Sequence, residues 1–191
     1  MIEEAGLVEV GSGLAPEAAG WFVVNAREAA WIRNDAFGGR CIFESGPRVL
    51  VDRPNIQPQR FPETGFTLAV LEPGKPSSLY HAESCQEDFL VLAGTCLLVI
   101  EEDERELRAW DFVHCPAGTH HVFVGTGDGP CVLFMIGARR EGKTIDYPVS
   151  ELAQAHGGGV EVATDDPAQA YAPITPWRLG RPEAWEELPW I

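Results

Sequence analysis

Residues 80–94, YHAESCQEDFLVLAG, put His81, Glu83, Cys85 and Glu87 at every second position. In an extended chain successive side chains alternate faces, so these four share one side while Ala82, Ser84, Gln86 and Asp88 share the other. The same parity continues through Phe89, Val91 and Ala93, all apolar, so the face carrying the reactive groups is the one that enters a hydrophobic interior. Two carboxylates and an imidazole in such a place are costly unless something pairs with them. A divalent cation is the simplest partner common to all of them.

The rest of the chain bounds what such a strand can belong to. At 191 residues it is about one domain long. Its 20 Gly and 15 Pro suit many short strands better than long helices. A formal net charge of -15 argues against nucleic acid and against anionic membrane surfaces, both of which need a basic patch. The opening MIEEAGLVEVG carries acids where a secretory signal has Lys or Arg before an apolar run. No apolar stretch approaches the roughly 18 to 20 residues of a membrane span, so a cytoplasmic protein is expected. Five cysteines without CxxC spacing indicate neither a disulfide framework nor a zinc ribbon, and read as small core residues.

From Phe66 the pattern is regular. Strands are expected at 66–71, 79–92, 95–100, 106–115, 120–125 and 131–138, separated by turn signals such as Glu72-Pro73-Gly74 and Pro116-Ala117-Gly118, with the acidic EEDER run as a solvated hairpin turn. Six short strands at this spacing predict an all-β chain folded as a small antiparallel β-barrel or jelly roll, with short helices in the N- and C-terminal extensions. The expected organisation is an N-terminal extension over 1–65, a barrel core over 66–138 and a C-terminal extension over 139–191. Within the first extension strands are expected at 21–24, 40–44 and 48–51, a helix over 26–32 and a loop over 53–65. Helices are expected over 150–156 and 167–171. The tail carrying Trp177, Trp185 and Trp190 is expected to pack on its own barrel or on a second subunit.

Two windows belong together. The first reads Gly74, six residues, His81, one residue, Glu83, three residues, Glu87, six residues, Gly94; the second reads Trp110, five residues, Pro116-Ala117-Gly118, two residues, His121. They resemble the two motifs of the cupin superfamily, G-x(5)-HxH-x(3,4)-E-x(6)-G and G-x(5)-P-x-G-x(2)-H-x(3)-N. That resemblance implies that His81, Glu83, Glu87 and His121 hold one divalent metal ion inside the barrel. The chain departs from the pattern in four ways: Glu83 replaces the second His, one extra residue follows Gly74, Trp110 replaces a turn glycine, and Gly125 stands where an Asn is usual. If Glu83 does not reach the metal, the set is a His81, Glu87, His121 triad.

Donor chemistry leaves Fe, Mn, Zn and Ni open. The function expected is a metal-binding cupin, in the first instance an enzyme such as a dioxygenase or isomerase, that oxygenates, isomerises or decarboxylates a small polar molecule. Glu83 would act as the general base if it is not tightly bound to the metal. The alternative is a non-catalytic cupin that binds or senses a sugar or organic acid, with or without metal. A homodimer and a small-molecule ligand are the expected partners. Cys85, Phe89, Val91, Val99 and Phe123 are expected to line the pocket; of the paired His120 and His121, the PxGxxH spacing picks His121 for the interior.

Overall fold

The structure, a computed structural model, describes residues 1–43 and 61–190. The expected strand at 48–51 and most of the expected loop at 53–65 lie outside the described residues. Two short N-terminal strands, β1 (Leu7–Glu9) and β2 (Leu14–Pro16), pair with each other. They lead into β3 (Trp31–Asn34) and β4 (Gly38–Ile42). The barrel strands follow: β5 (Thr64–Leu71), β6 (Ala82–Glu83), β7 (Glu87–Ala93), β8 (Thr95–Ile100), β9 (Asp103–Arg108), β10 (Phe112–Cys115), β11 (His121–Thr126) and β12 (Cys131–Ala138). After them come β13 (Ile145–Asp146), helices α1 (Glu151–Ala155) and α2 (Pro167–Ala170), and β14 (Arg178–Leu179). No helix among the described residues is long and apolar enough to cross a membrane.

A larger sheet in the order β10-β7-β12-β5-β4-β3-β14 faces a smaller one in the order β11-β8-β9, every named pairing being antiparallel. Their inner faces share one apolar core. Ala69, Leu71, Phe89, Val91, Cys115, Cys131 and Leu133 come from the larger sheet, and Cys96, Leu98 and Phe123 from the smaller. The smaller sheet is also covered on its outside, where Leu97, Val99 and Val122 pack with Tyr80 and with Leu152 and Ala153 of α1. Burial on both faces explains why β8 reads as a nearly continuous apolar run instead of alternating.

The expected strand over 79–92 is broken. Ser84-Cys85-Gln86 leave the extended path between β6 and β7, and His81 makes only an isolated bridge ahead of β6. The run over 106–115 is likewise two strands, because the chain turns at Ala109-Trp110. Asp103, Glu104 and Arg105 already lie in β9, so the acidic run is mostly strand; its turn is Glu101-Glu102, both at positive φ, which suits a tight two-residue hairpin.

Two expectations in the N-terminal extension fail. Residues 21–24 form no strand beyond a single bridge from Trp21 to Glu4. The helix expected over 26–32 is a turn followed by β3. Asn25 Oδ1 accepts from Arg27 N–H at 2.9 Å, as at a helix start, but Trp31 is then drawn into β3, opposite Cys41. There it is fully buried, with Trp185 and Trp190 edge-on at 5.5 and 6.2 Å. Burying an indole outweighs a weak helical preference. The tail therefore packs on its own chain, adding β14 to the larger sheet beside β3 and stacking Trp177 on Phe37.

Trp110, in the place of the family's turn glycine, has φ 76 and is exposed. A side chain in that left-handed region costs about 1–2 kcal/mol. Because the indole buries little, Trp110→Gly is expected to stabilise the protein by about 1 kcal/mol, a rise in melting temperature of roughly 2–4 °C. Trp110→Ala, which keeps the Cβ, is expected to give no such gain. Thermal melts of the three proteins decide it; equal shifts for Gly and Ala would locate the effect in the indole and not in the backbone.

Candidate metal centre

The segment Gly74–His81 lies along β11 and brings the two motif windows together. Gly74 N–H donates to Gly125 O at 2.8 Å, Gly125 N–H to Lys75 O at 3.0 Å and Ser77 N–H to Phe123 O at 2.6 Å. A Cβ on Gly125 would sit 2.3 Å from the Glu72 carbonyl oxygen, so the position that is usually Asn has to be Gly here. The alignment ends in a reciprocal pair: His121 N–H donates to His81 O at 2.9 Å, and His81 N–H to His121 O at 3.3 Å. Residues paired this way project their side chains to one face, and the two imidazole centroids are 5.1 Å apart.

Each ring is oriented by its own strand. His81 Nδ1 lies 2.7 Å from Leu79 O and His121 Nδ1 lies 3.0 Å from Thr119 O. A carbonyl only accepts, so both Nδ1 atoms carry the proton and both Nε2 lone pairs point away from the backbone. Glu87, the first residue of β7, completes the group, with Oε2 at 3.7 Å from His121 Nε2. One ligand atom from each of His81, Glu87 and His121 lies within 4.8 Å of the others. His81, Glu87 and His121 would hold a divalent cation through two imidazole nitrogens and one carboxylate oxygen. Two neutral imidazoles and one carboxylate on one face suit Fe, Mn, Zn or Ni, so the residues fit the ion.

The electrostatics favour neutral groups until a cation arrives. Burial pulls His81 down to about 4 from the ordinary 6.5. Burial, with His81 as neighbour, does the same to His121. Burial, and next the facing Glu83 carboxylate, push Glu87 up to about 8 from 4.5, with Lys143 opposing.

Glu83 is brought near the triad but is not part of it. Its Oε2 is buried and in contact with Lys143 Nζ, without a well-directed hydrogen bond. Lys143 stands just before β13, which pairs with β6 and so holds the ammonium over Glu83. Of the expected pocket residues, Phe89 and Phe123 line the cavity over the triad. Cys85, Val91 and Val99 do not: Val91 lies deeper in the core between the sheets, Val99 lies on the outer face under α1, and Cys85 is buried where the strand breaks. All five cysteines are free, and burial pushes Cys115 up to about 12, an inert thiol. His120 faces away from the triad, with Nε2 at 2.8 Å from Asp146. His114 and His156 pair with Asp88 and Glu104 on the surface.

The cavity, about 920 Å³, has walls that motif spacing could not have named: Arg40 from β4, Tyr147 after β13, and Tyr171 and Trp177 from the tail. The one signal for them in the sequence was a lone Arg inside the otherwise small and apolar Gly38–Ile42.

The segment 67–137 matches the family model described as Cupin domain. Residues 67–137 are a cupin domain. Solved structures are similar to parts of the chain. A sugar phosphate isomerase of the cupin superfamily from Silicibacter pomeroyi is 28% identical, over 59% of this chain and 67% of that one, with a TM-score of 0.45. The KdgF protein of a Halomonas species is 18% identical, over 64% of this chain and 97% of that one, with a TM-score of 0.48. The polyketide cyclase RemF of Streptomyces resistomycificus is 16% identical, over 63% and 82%, with a TM-score of 0.47. The chain spans about two thirds of the length of the isomerase-type structures. No curated protein matches it in sequence.

The three shifted groups predict how stability of the metal-free protein varies with pH. The histidines are protonated more readily when unfolded, so their contribution is present above pH 6.5 and is lost as pH falls toward 4. Glu87 is protonated more readily when folded, so its contribution is present below 4.5 and is lost as pH rises toward 8. Between about 4.5 and 6.5 the two histidines outweigh Glu87 by one proton, and between about 6.5 and 8 only Glu87 acts. The combined contribution peaks near pH 6.5 and falls by about 1.4 kcal/mol per pH unit on either side. Melts of EDTA-treated protein are expected to show the alkaline decline in wild type and not in Glu87→Gln. Parallel declines in the two would remove Glu87 as the cause.

Proposed function

We propose that this protein is a metal-dependent cupin enzyme that moves a proton on a small polar substrate, with His81, Glu87 and His121 as the metal ligands and Glu83 as the proton acceptor. The observation that carries this reading is the division of the two carboxylates. Glu87 faces the imidazole nitrogens, while Glu83, in contact with Lys143 and beside Glu87, lines the same cavity outside the triad. When bound, the ion would act as a Lewis acid, polarising a carbonyl or hydroxyl of the substrate and lowering the barrier to ionising it. The protein's own groups do the rest. The Nδ1–H bonds to Leu79 and Thr119 fix the two imidazoles. Phe89, Phe123, Met135 and Ile145 keep the cavity floor apolar, which excludes water and strengthens every charge interaction above it.

Glu83 suits proton transfer because its charge is balanced by a partner that can move. Lys143 sits in the turn before β13 with a side chain about one third exposed, so it can follow the carboxylate as the carboxylate gains and loses a proton. A carboxylate bound to the ion would be a far poorer base. Isomerisation is the member of the expected reaction set that needs this arrangement and no further reactant. The protein is also proposed to form a homodimer, a reading supported by the outer edge of β10, which pairs with no other strand among the described residues and where Phe112 is exposed. Light scattering of the purified protein reads that directly.

Metal analysis and exchange separate the roles of the two glutamates. Protein purified without added metal is expected to hold close to one equivalent, falling to less than about a tenth in His121→Ala and in Glu87→Gln but staying near wild type in Glu83→Gln. In D₂O with a panel of aldoses, ketoses and their acids, wild type is expected to place deuterium beside the carbonyl of its substrate. Glu83→Gln is expected to lose that exchange by 10²-fold or more while keeping its metal. Wild type with less than a tenth of an equivalent would sink the reading, and metal loss in Glu83→Gln would put that residue among the ligands instead.

A further inference from the structure

The cavity that holds the triad is also lined by a charge with no counterpart among the described residues. Arg40 projects from β4, and the cavity it lines is also lined by His81, Glu83, Glu87 and His121. Among the described residues no carboxylate pairs with its guanidinium. Its one hydrogen bond there runs from Nη2 to the Ser77 carbonyl oxygen, and its Nε–H is buried without an acceptor. The indole of Trp177 covers the guanidinium, with Cζ 4.8 Å from the ring centroid. Tyr147 and Tyr171 line the same wall and offer hydroxyls.

An unpaired guanidinium in a buried site is expensive, and a cation–π contact of about 1–2 kcal/mol with one carbonyl bond does not replace the lost hydration. Such a group persists where something else supplies the acceptor. A guanidinium presents five donors in a planar fork that fits carboxylate and phosphate oxygens two at a time. The acidic chain, at net -15, repels anions in general, so a small anion entering this cavity needs one local cation to hold it.

We propose that Arg40 is the substrate anchor: it binds an oxyanion, the carboxylate or phosphate of a small substrate whose reacting end lies toward His81, Glu87 and His121. The inference deepens the proposed function by naming the substrate class, but the anchoring itself does not depend on metal. Trp177 covers the guanidinium, leaving its terminal nitrogens to meet the anion. The Tyr147 and Tyr171 hydroxyls bond to each other, which leaves one proton of the pair to donate to a remaining oxygen.

The test uses EDTA-treated full-length protein at pH 7, melted with inorganic phosphate, with succinate, and with sodium chloride of matched ionic strength. A saturable rise in melting temperature with phosphate, succinate or both, beyond the chloride control, is expected for wild type. A response to phosphate alone assigns a phosphate ester, and one to succinate alone assigns a carboxylate. Arg40→Met, which keeps the length and removes the charge, is expected to bind the responding anion at least tenfold more weakly. Without anion it should melt no lower than wild type, because a buried unpaired charge has gone. Arg40→Lys keeps a point charge without the fork and should bind with intermediate affinity, which guards against a folding defect in the first variant. No response of wild type to either anion, or an undiminished response in Arg40→Met, overturns the proposal. Oxyanion binding in a protein that holds no metal when purified would uphold the anchor while removing the metal-dependent reading.

Discussion

The reciprocal backbone hydrogen bonds between His81 and His121 are the constraint on which the site rests. Residues in such a pair must send their side chains to the same face, so once the segment 74–81 lies along β11 the two imidazoles are neighbours whatever the rest of the chain does. What secures the alignment is small. Gly125 lets the backbone at Glu72 approach to a distance that no Cβ would permit, and Ser77 both donates to and accepts from Phe123. The two carbonyls that accept from Nδ1 then settle which nitrogen is left bare. A site with freely rotating imidazoles would have to spend binding energy ordering them; here that order is part of the sheet.

The second consequence concerns charge. Two imidazoles and two carboxylates line one partly apolar cavity, with an ammonium against one of the carboxylates, and each is shifted or paired in the direction that lowers the burial cost: neutral histidines, a protonated Glu87, a Glu83 matched to Lys143. Substituting Glu83 for the family's second His therefore does more than change one donor. It introduces a carboxylate that adds to burial in raising its neighbour Glu87 and that meets a lysine from the turn before β13. The departure in the motif and the lysine outside it are one arrangement.

Much of this was legible before any coordinates. Period-two alternation marks His81 and Glu87 for one face, the PxGxxH spacing selects His121 over His120, and turn residues bracket nearly every barrel strand. What was not legible has particular physical reasons. Parity counting assumes an unbroken strand, and the chain breaks at Ser84-Cys85-Gln86, which takes Cys85 off the cavity wall. Val99 could not be assigned a face because both faces of β8 are buried, so Leu97 and Val99 look no different from Cys96 and Leu98. The helix expected over 26–32 lost to the burial of Trp31 against two tryptophans more than 150 residues later, a contact that no local window contains. Arg40, Tyr171 and Trp177 are likewise joined only by tertiary packing.

That last group shows how work is divided in the molecule. The donor atoms come from the segment that matches the family, but the space above them is enclosed by Arg40 from the first sixty residues and by Tyr147, Tyr171 and Trp177 from the last fifty. Packing explains why these parts can cooperate. Phe37 meets both Tyr171 and Trp177, and Arg178 pairs with Asp35, so the two ends of the chain are clamped to each other beside the cavity. A barrel of this kind supports many chemistries because its metal ligands are few and its rim is free to vary. In this chain the rim is the part that differs in charge from its surroundings: it carries Arg40 in a protein with an excess of acids. On the proposed reading, the ligand set would account for the kinds of bond the site can polarise, and the rim, built from the residues least visible to motif analysis, for which molecule can be held there.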